Sequence, residues 1–117
     1  MREEVSAFLT GRPRVDAIIS SADIGTSAVL HWAREHGRRI GEDLLLAQCT
    51  DSLSTTLSVP TVTSIDLRPD ALGAASADLL LDLLSGTQPL GAEREMPLTL
   101  IRRESTARPL IPERGAA

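Results

Sequence analysis

Few residues in this 117-residue sequence could make or break bonds, and their spacing favours hydrogen bonding over catalysis. His31 and His36 stand five positions apart, and no cysteine or carboxylate joins them at a metal-ligand spacing, so no metal is expected. They read instead as helix-surface residues, with His36 near a helix C-terminus where the dipole favours it. Cys49 has no second cysteine to pair with and ends an apolar run, which reads as a small buried hydrophobe. No Gly-X-Ser-X-Gly elbow, phosphate-binding glycine loop or Cys-His arrangement occurs, so neither an enzyme activity nor a cofactor is expected. What remains is a polar loop, residues 48–60, rich in Ser, Thr and Asp, together with Asp23 just ahead of a helical stretch.

The elements that must hold these groups can be read from periodicity. Val5, Phe8 and Leu9 share a helical face that Gly11 and Pro13 terminate. Residues 16–20 form a short β-prone run, followed by a helix over 24–36 with Ala28, Val29, Trp32 and Ala33 on its apolar face and Gly37 at its end. Residues 44–47 are apolar without alternation, the pattern of a strand covered on both faces of a parallel sheet. Strand, helix and strand make a βαβ unit, and the polar loop 48–60 follows the carboxyl end of its second strand, where open α/β sheets bind ligands. A further strand over 61–65 leads to a long amphipathic helix that starts at Pro69 and ends near Gly86, with Leu72, Ala75, Leu79, Leu80, Leu83 and Leu84 as its stripe. Residues 96–101 read as a last strand, and 108–117, with two prolines and small residues, as a frayed tail.

Composition sets the class. Apolar residues at 42% and charged residues at 24% describe a one-core α/β domain. A net charge of −4 with one Trp and one Phe provides neither a basic field for phosphates nor aromatic surface for bases. The first ten residues, with Glu3 and Glu4, lack a signal-peptide pattern, and no window is long and apolar enough to span a membrane. A cytoplasmic location is expected.

Three segments and a terminal signature resemble the C-terminal half of effector domains in the LacI/GalR family of bacterial transcriptional regulators. Residues 16–30 with Arg34, Glu35, His36 and Gly37 look like the family's strand, Asn-Asp turn and helix. Residues 39–51 are similar to its Val-Pro-Glu-Asp stretch, hydrophobic strand and Asp-Asp loop. Pro60 with residues 62–65 and the helix through Gly73 match the following strand and helix, and residues 103–107 match an Arg-Glu-Ser-Thr signature.

The resemblance implies an incomplete, doubly wound parallel sheet: the C-terminal lobe of a periplasmic-binding-protein-like (type I) domain, with the helix from Pro69 crossing to the other lobe. On this reading residues 1–107 are the C-terminal part of an effector-binding and dimerisation domain, 108–117 are a flexible tail, and no DNA-binding domain is present. DNA would be reached only through a helix-turn-helix absent from this chain. The implied partners are a sugar-like small molecule and a second copy of the chain.

The family's effector ligands fall at Ala22 and Thr50, where the family has Asn and Asp. The second member of each pair survives as Asp23 and Asp51. Losing both ligands predicts a changed effector, or none. Asp23 reads either as a helix cap or as a ligand, with capping favoured, and Asp51 is divided between turn chemistry and cleft lining. The family's dimer helix would put Ile24, Ser27, Ala28, His31 and Trp32 at a subunit contact, although ordinary packing also accounts for Trp32. Two other readings stay open: a fragment of a sugar-type solute-binding protein, and a stand-alone dimerisation module, where exchange of the leucine-striped helix between copies could cover it.

Overall fold

The structure, a computed structural model, describes residues 1–108. The expected tail therefore lies, apart from Arg108, outside the described residues. In chain order the elements are α1 (Arg2–Thr10), β1 (Ala17–Ser20), α2 (Asp23–Glu35), β2 (Leu45–Gln48), α3 (Leu53–Leu57), β3 (Thr63–Asp66), α4 (Pro69–Leu84), β4 (Thr99–Ile101) and a 3-10 turn (Glu104–Thr106). They form one four-stranded sheet ordered β1-β2-β3-β4. β1 and β2 pair in parallel, as do β2 and β3, while β4 adds to the edge antiparallel. The expected α/β lobe is present, with an antiparallel edge strand and the extra helix α3.

The core lies on one side of the sheet. Ile18 and Leu46 sit opposite each other in the parallel ladder, and both pack toward Leu9 of α1 and Val29, Trp32 and Ala33 of α2. Helix α2 supplies most of this face because its apolar residues recur every three to four positions. It stops where expected: Gly37 takes a left-handed φ of 64°, and the Arg38 amide bonds back to the Ala33 carbonyl at 2.9 Å.

The other side of the sheet differs from the sequence reading. Along β2, Leu46 and Gln48 are buried but Leu45 and Ala47 are only half-buried. Ile19, next to Ala47 in the ladder, is 75% exposed. Both helices of the core cover the same face, so β2 is covered on one side and not on two. Helix α4 is likewise uncovered. It begins with Pro69 in its first turn, after a left-handed Arg68 whose amide bonds Asp66 Oδ1 at 2.7 Å, but it contributes no buried residue. Its stripe is open, with Leu80 at 56% and Leu84 at 76% exposure. The Cα radius of gyration, 19.2 Å, accordingly exceeds the roughly 13 Å of a compact domain of this length.

These burials predict unequal costs. Leu46→Ala should lower the free energy of unfolding in urea by about 2–5 kcal/mol, since Leu46 is fully enclosed. Leu84→Ala should change it by less than about 0.5 kcal/mol. Equal losses would mean that α4 belongs to the same core.

Candidate functional site

The carboxyl ends of β1 and β2 bring two loops together. The first runs from Ser20 to the start of α2; Ser20 Oγ donates to the Ala22 carbonyl at 2.9 Å. Gly25 lets α2 approach this loop, because a Cβ there would lie 2.6 Å from Ser20 Oγ. The second loop carries Thr50 and Asp51 into α3. Ser52 caps α3: its hydroxyl accepts from the Thr55 amide, while the Thr55 hydroxyl accepts from the Ser52 amide at 3.2 Å.

Asp23 joins the two loops. Its Oδ1 accepts from Gln48 Nε2 at 2.9 Å, Ser52 Oγ at 2.7 Å and Ser54 Oγ at 2.5 Å. These donors, Ser54 most strongly, then Ser52 and Gln48, hold the carboxyl below its ordinary pKa. The favoured capping reading is corrected here. Ala22 is the N-cap of α2 and makes no side-chain cap bond, and Asp23 lies inside the helix with its carboxylate turned to the second loop. Three hydroxyl and amide donors outside the helix win the carboxylate over its own first-turn amides.

Gln48, read from the sequence as the first residue of the polar loop but in fact the last of β2, is the other link. Its Nε2 also donates to the Thr50 carbonyl at 2.7 Å. Gln48 is 2% exposed, and its Oε1, with Thr26 Oγ1, is a buried polar atom without a hydrogen-bond partner. Ala22 and Thr50 are exposed at the tips of the two loops. Cys49 is exposed too, contrary to the buried reading: it stands one residue past β2, where the sheet no longer shields it.

Asp51 does something different from Asp23. It accepts from Ser64 Oγ at 2.5 Å, Arg103 Nη1 at 2.8 Å and Thr55 Oγ1 at 3.0 Å. Ser64 first, then Arg103, pull its pKa down to about 2. Arg103, only 15% exposed at its side chain, also reaches the Val62 carbonyl and Ser64 Oγ, at 2.8 and 2.7 Å. The terminal signature is therefore structural in function. Ser105, fully buried, accepts from the Thr63 amide and donates to the Leu46 carbonyl, at 2.8 and 2.5 Å.

The residues expected at a subunit contact divide. Ile24, at 63% exposure, with Ser27 and a half-buried His31, faces outward. Ala28 and Trp32 do not: α1 lies over them, leaving 3% and 6% exposed. The Trp32 indole donates to Thr10 Oγ1 at 3.3 Å and stacks on His36 with centroids 4.5 Å apart. His31 pairs with Glu35 at 2.9 Å and also meets Arg2. Among the described residues no cluster of His, Cys, Asp or Glu could hold a metal ion. A concavity of about 630 Å³ opens at the opposite, amino ends of the strands, lined by Arg39, Gly41, Pro60 and Glu104 among others.

Polar loops thus stand at the carboxyl tips of the parallel strands β1 and β2, where open α/β sheets bind ligands. Residues 1–106 match the periplasmic binding protein-like domain family. The chain is 34% identical over 95 residues to the ribose operon repressor of Bacillus subtilis strain 168, covering 80% of this chain and 29% of that protein. Among solved structures, a LacI family transcriptional regulator from Arthrobacter sp. FB24 in complex with lactose is 30% identical, with a TM-score of 0.79, over 90% of this chain and 40% of that one. The transcriptional regulator CelR in complex with cellobiose is 28% identical, with a TM-score of 0.76, over 90% of this chain and 33% of that one. The chain thus belongs to the periplasmic binding protein-like domain family, in the branch of the LacI/GalR transcriptional regulators. It spans 25–30% of the length of the curated relatives it matches.

The Asp51 network has a pH signature. Its carboxyl is depressed from 3.8 to about 2, so its contribution to stability is complete above the unfolded value and is lost as pH falls through that interval. Asp51→Asn should be less stable than the parent at neutral pH, with the gap narrowing between pH 4 and 2 in thermal melts. A gap independent of pH over that range would rule out an ionised Asp51 as its source.

Proposed function

We propose that residues 1–107 are the C-terminal sensor and dimerisation part of a LacI-family transcriptional regulator, in which a sugar-like effector changes the affinity of a dimer for operator DNA. The observation that carries this reading is the polar network at the carboxyl ends of β1 and β2, which joins two loops where open α/β sheets bind ligands. Family membership supports the form of the coupling: ligand closure of a hinged receptor biases one of two states, and the state with higher operator affinity gains or loses population.

The effector side of the crevice comprises Ala22, Asp23, Thr50 and Asp51. Asp23 is its ligand-facing acid, and Asp51 supports the loop from beneath through Arg103 and Ser64. Ala22 has no polar side chain where the family places an Asn, so the effector is not a simple hexose read through this lobe in the usual way. Lactose and cellobiose in the solved relatives support a saccharide class without fixing the member.

Self-association uses the outer ridge of α2, through Ile24, Ser27 and His31, with Ala28 and Trp32 held inside as its support. Operator contact belongs to a helix-turn-helix module outside these residues, since a net charge of −4 leaves this lobe unsuited to phosphates. No helix among the described residues is long and apolar enough to cross a membrane. A cytoplasmic, non-enzymatic role follows from this reading. The relatives are named as regulators and not as transport proteins, which supports a regulator over a solute-binding protein.

Amide resonances recorded during titration with lactose, cellobiose and D-ribose test the reading. At least one saccharide should shift Ala22, Asp23 and Thr50 while leaving the amino-end concavity near Gly41 unchanged. Shifts confined to the Gly41 end, or no response to any of them, would overturn it.

A further inference from the structure

One buried side chain, Gln48, bonds to both loops at the strand tips. This residue closes β2, is 2% exposed, and spends both amide hydrogens on them: Asp23 Oδ1 at 2.9 Å on one and the Thr50 carbonyl at 2.7 Å on the other. Its Oε1, in the same buried amide, has no partner. Buried acceptors of this kind are rare in native proteins and point to a donor that arrives from outside the chain. Asp23, exposed at the rim, takes Gln48, Ser52 and Ser54 all at Oδ1, and among the described residues none donates to Oδ2.

Resting on the effector-crevice reading, we infer that Gln48 is the positioning residue that sets the ligand selectivity of this crevice: it locks the Asp23 and Thr50 loops at one separation and leaves two unfilled acceptors, Asp23 Oδ2 and Gln48 Oε1, so that the site takes ligands rich in hydrogen-bond donors, polyols and amino sugars, and rejects sugar acids. An ionised Asp23 attracts a protonated amine and repels a carboxylate, and the hydroxyls of Ser52 and Ser54 are already committed to it.

The test has a ligand-free arm and a ligand arm. In the first, the Asp23 carboxyl carbon is titrated by NMR in the parent, in Gln48→Met and in Gln48→Glu, with thermal melts confirming that each is folded. The Asp23 midpoint should rise in Gln48→Met, which loses one donor, and rise further in Gln48→Glu, which adds a like charge. In the second arm, D-glucosamine and D-gluconate are titrated against the parent and Gln48→Met. Glucosamine should shift the Asp23 and Thr50 amides, gluconate should not, and Gln48→Met should weaken the glucosamine response by about tenfold or more, as expected for loss of a charge-assisted contact. An unmoved Asp23 midpoint, or gluconate binding as well as glucosamine, overturns the inference. A moved midpoint without binding of either probe removes the effector reading, and the selectivity with it, while the bridging role of Gln48 stands. Binding with an unmoved midpoint removes the role of Gln48 and keeps the reading.

Discussion

One half-buried ion pair fastens this lobe. Asp51 and Arg103 lie 52 positions apart in sequence, and their 2.8 Å contact ties the loop after β2 to the segment that follows β4. The pair is more than a point attraction. Thr55 of α3, Ser64 of β3 and the carbonyl of Val62, just ahead of β3, all hydrogen-bond within it, so two neighbouring elements depend on the same two charges. Removing either partner would leave the other charge poorly solvated, which is the costly way to break such a contact. Just beyond Arg103, Ser105 links the Thr63 amide to the Leu46 carbonyl and so closes the sheet where backbone pairing ends. The polar tips of β1 and β2 can be held in a fixed geometry because the strands beneath them are pinned in this way.

The same lobe is unfinished on its other side. Ile19 and Leu100 are exposed on the face that α1 and α2 leave bare, and α4 displays leucines along its length. A helix of 16 residues with a glycine in its second turn has little stability of its own in water and needs a surface to pack against. In the hinged receptor proposed here, that requirement links the halves. The helix that leaves this lobe is stabilised by the other one, so a ligand that changes how the lobes meet also changes what α4 contacts. Coupling between effector and operator would then run through packing that two lobe arrangements satisfy differently.

Most of the scaffold was legible in the sequence, and the reasons are local. The three-to-four spacing in α2, Gly37 at its end and Pro69 at the start of α4 are signals carried within a few residues, and each gave an element within two or three positions of its place. Helix α3 was missed because five residues are too few for periodicity, although Ser52 and Thr55 carry its capping pattern. Burial read less well. Unalternating leucines in β2 suggested cover on both faces, yet cover is a property of what packs there, and only one face is packed. Of the two readings open for Ala28 and Trp32, subunit contact and ordinary packing, burial under α1 favours packing. At the tips, Asp23 was read from its position before a helix, whereas its partners come from residues 25 to 31 positions away. Arg103 was recognisable as part of a signature, but its role needed the long-range contact to Asp51.

The central claim, that the Asp51–Arg103 pair holds the lobe together as a unit, is tested most directly by a double-mutant cycle. Unfolding free energies would be measured for the parent, Asp51→Asn, Arg103→Leu and the double variant. The account predicts that the single losses are large and that the double variant loses much less than their sum, with a coupling of about 1 kcal/mol or more. Additive losses within about 0.3–0.5 kcal/mol would show two residues acting independently, and would contradict it.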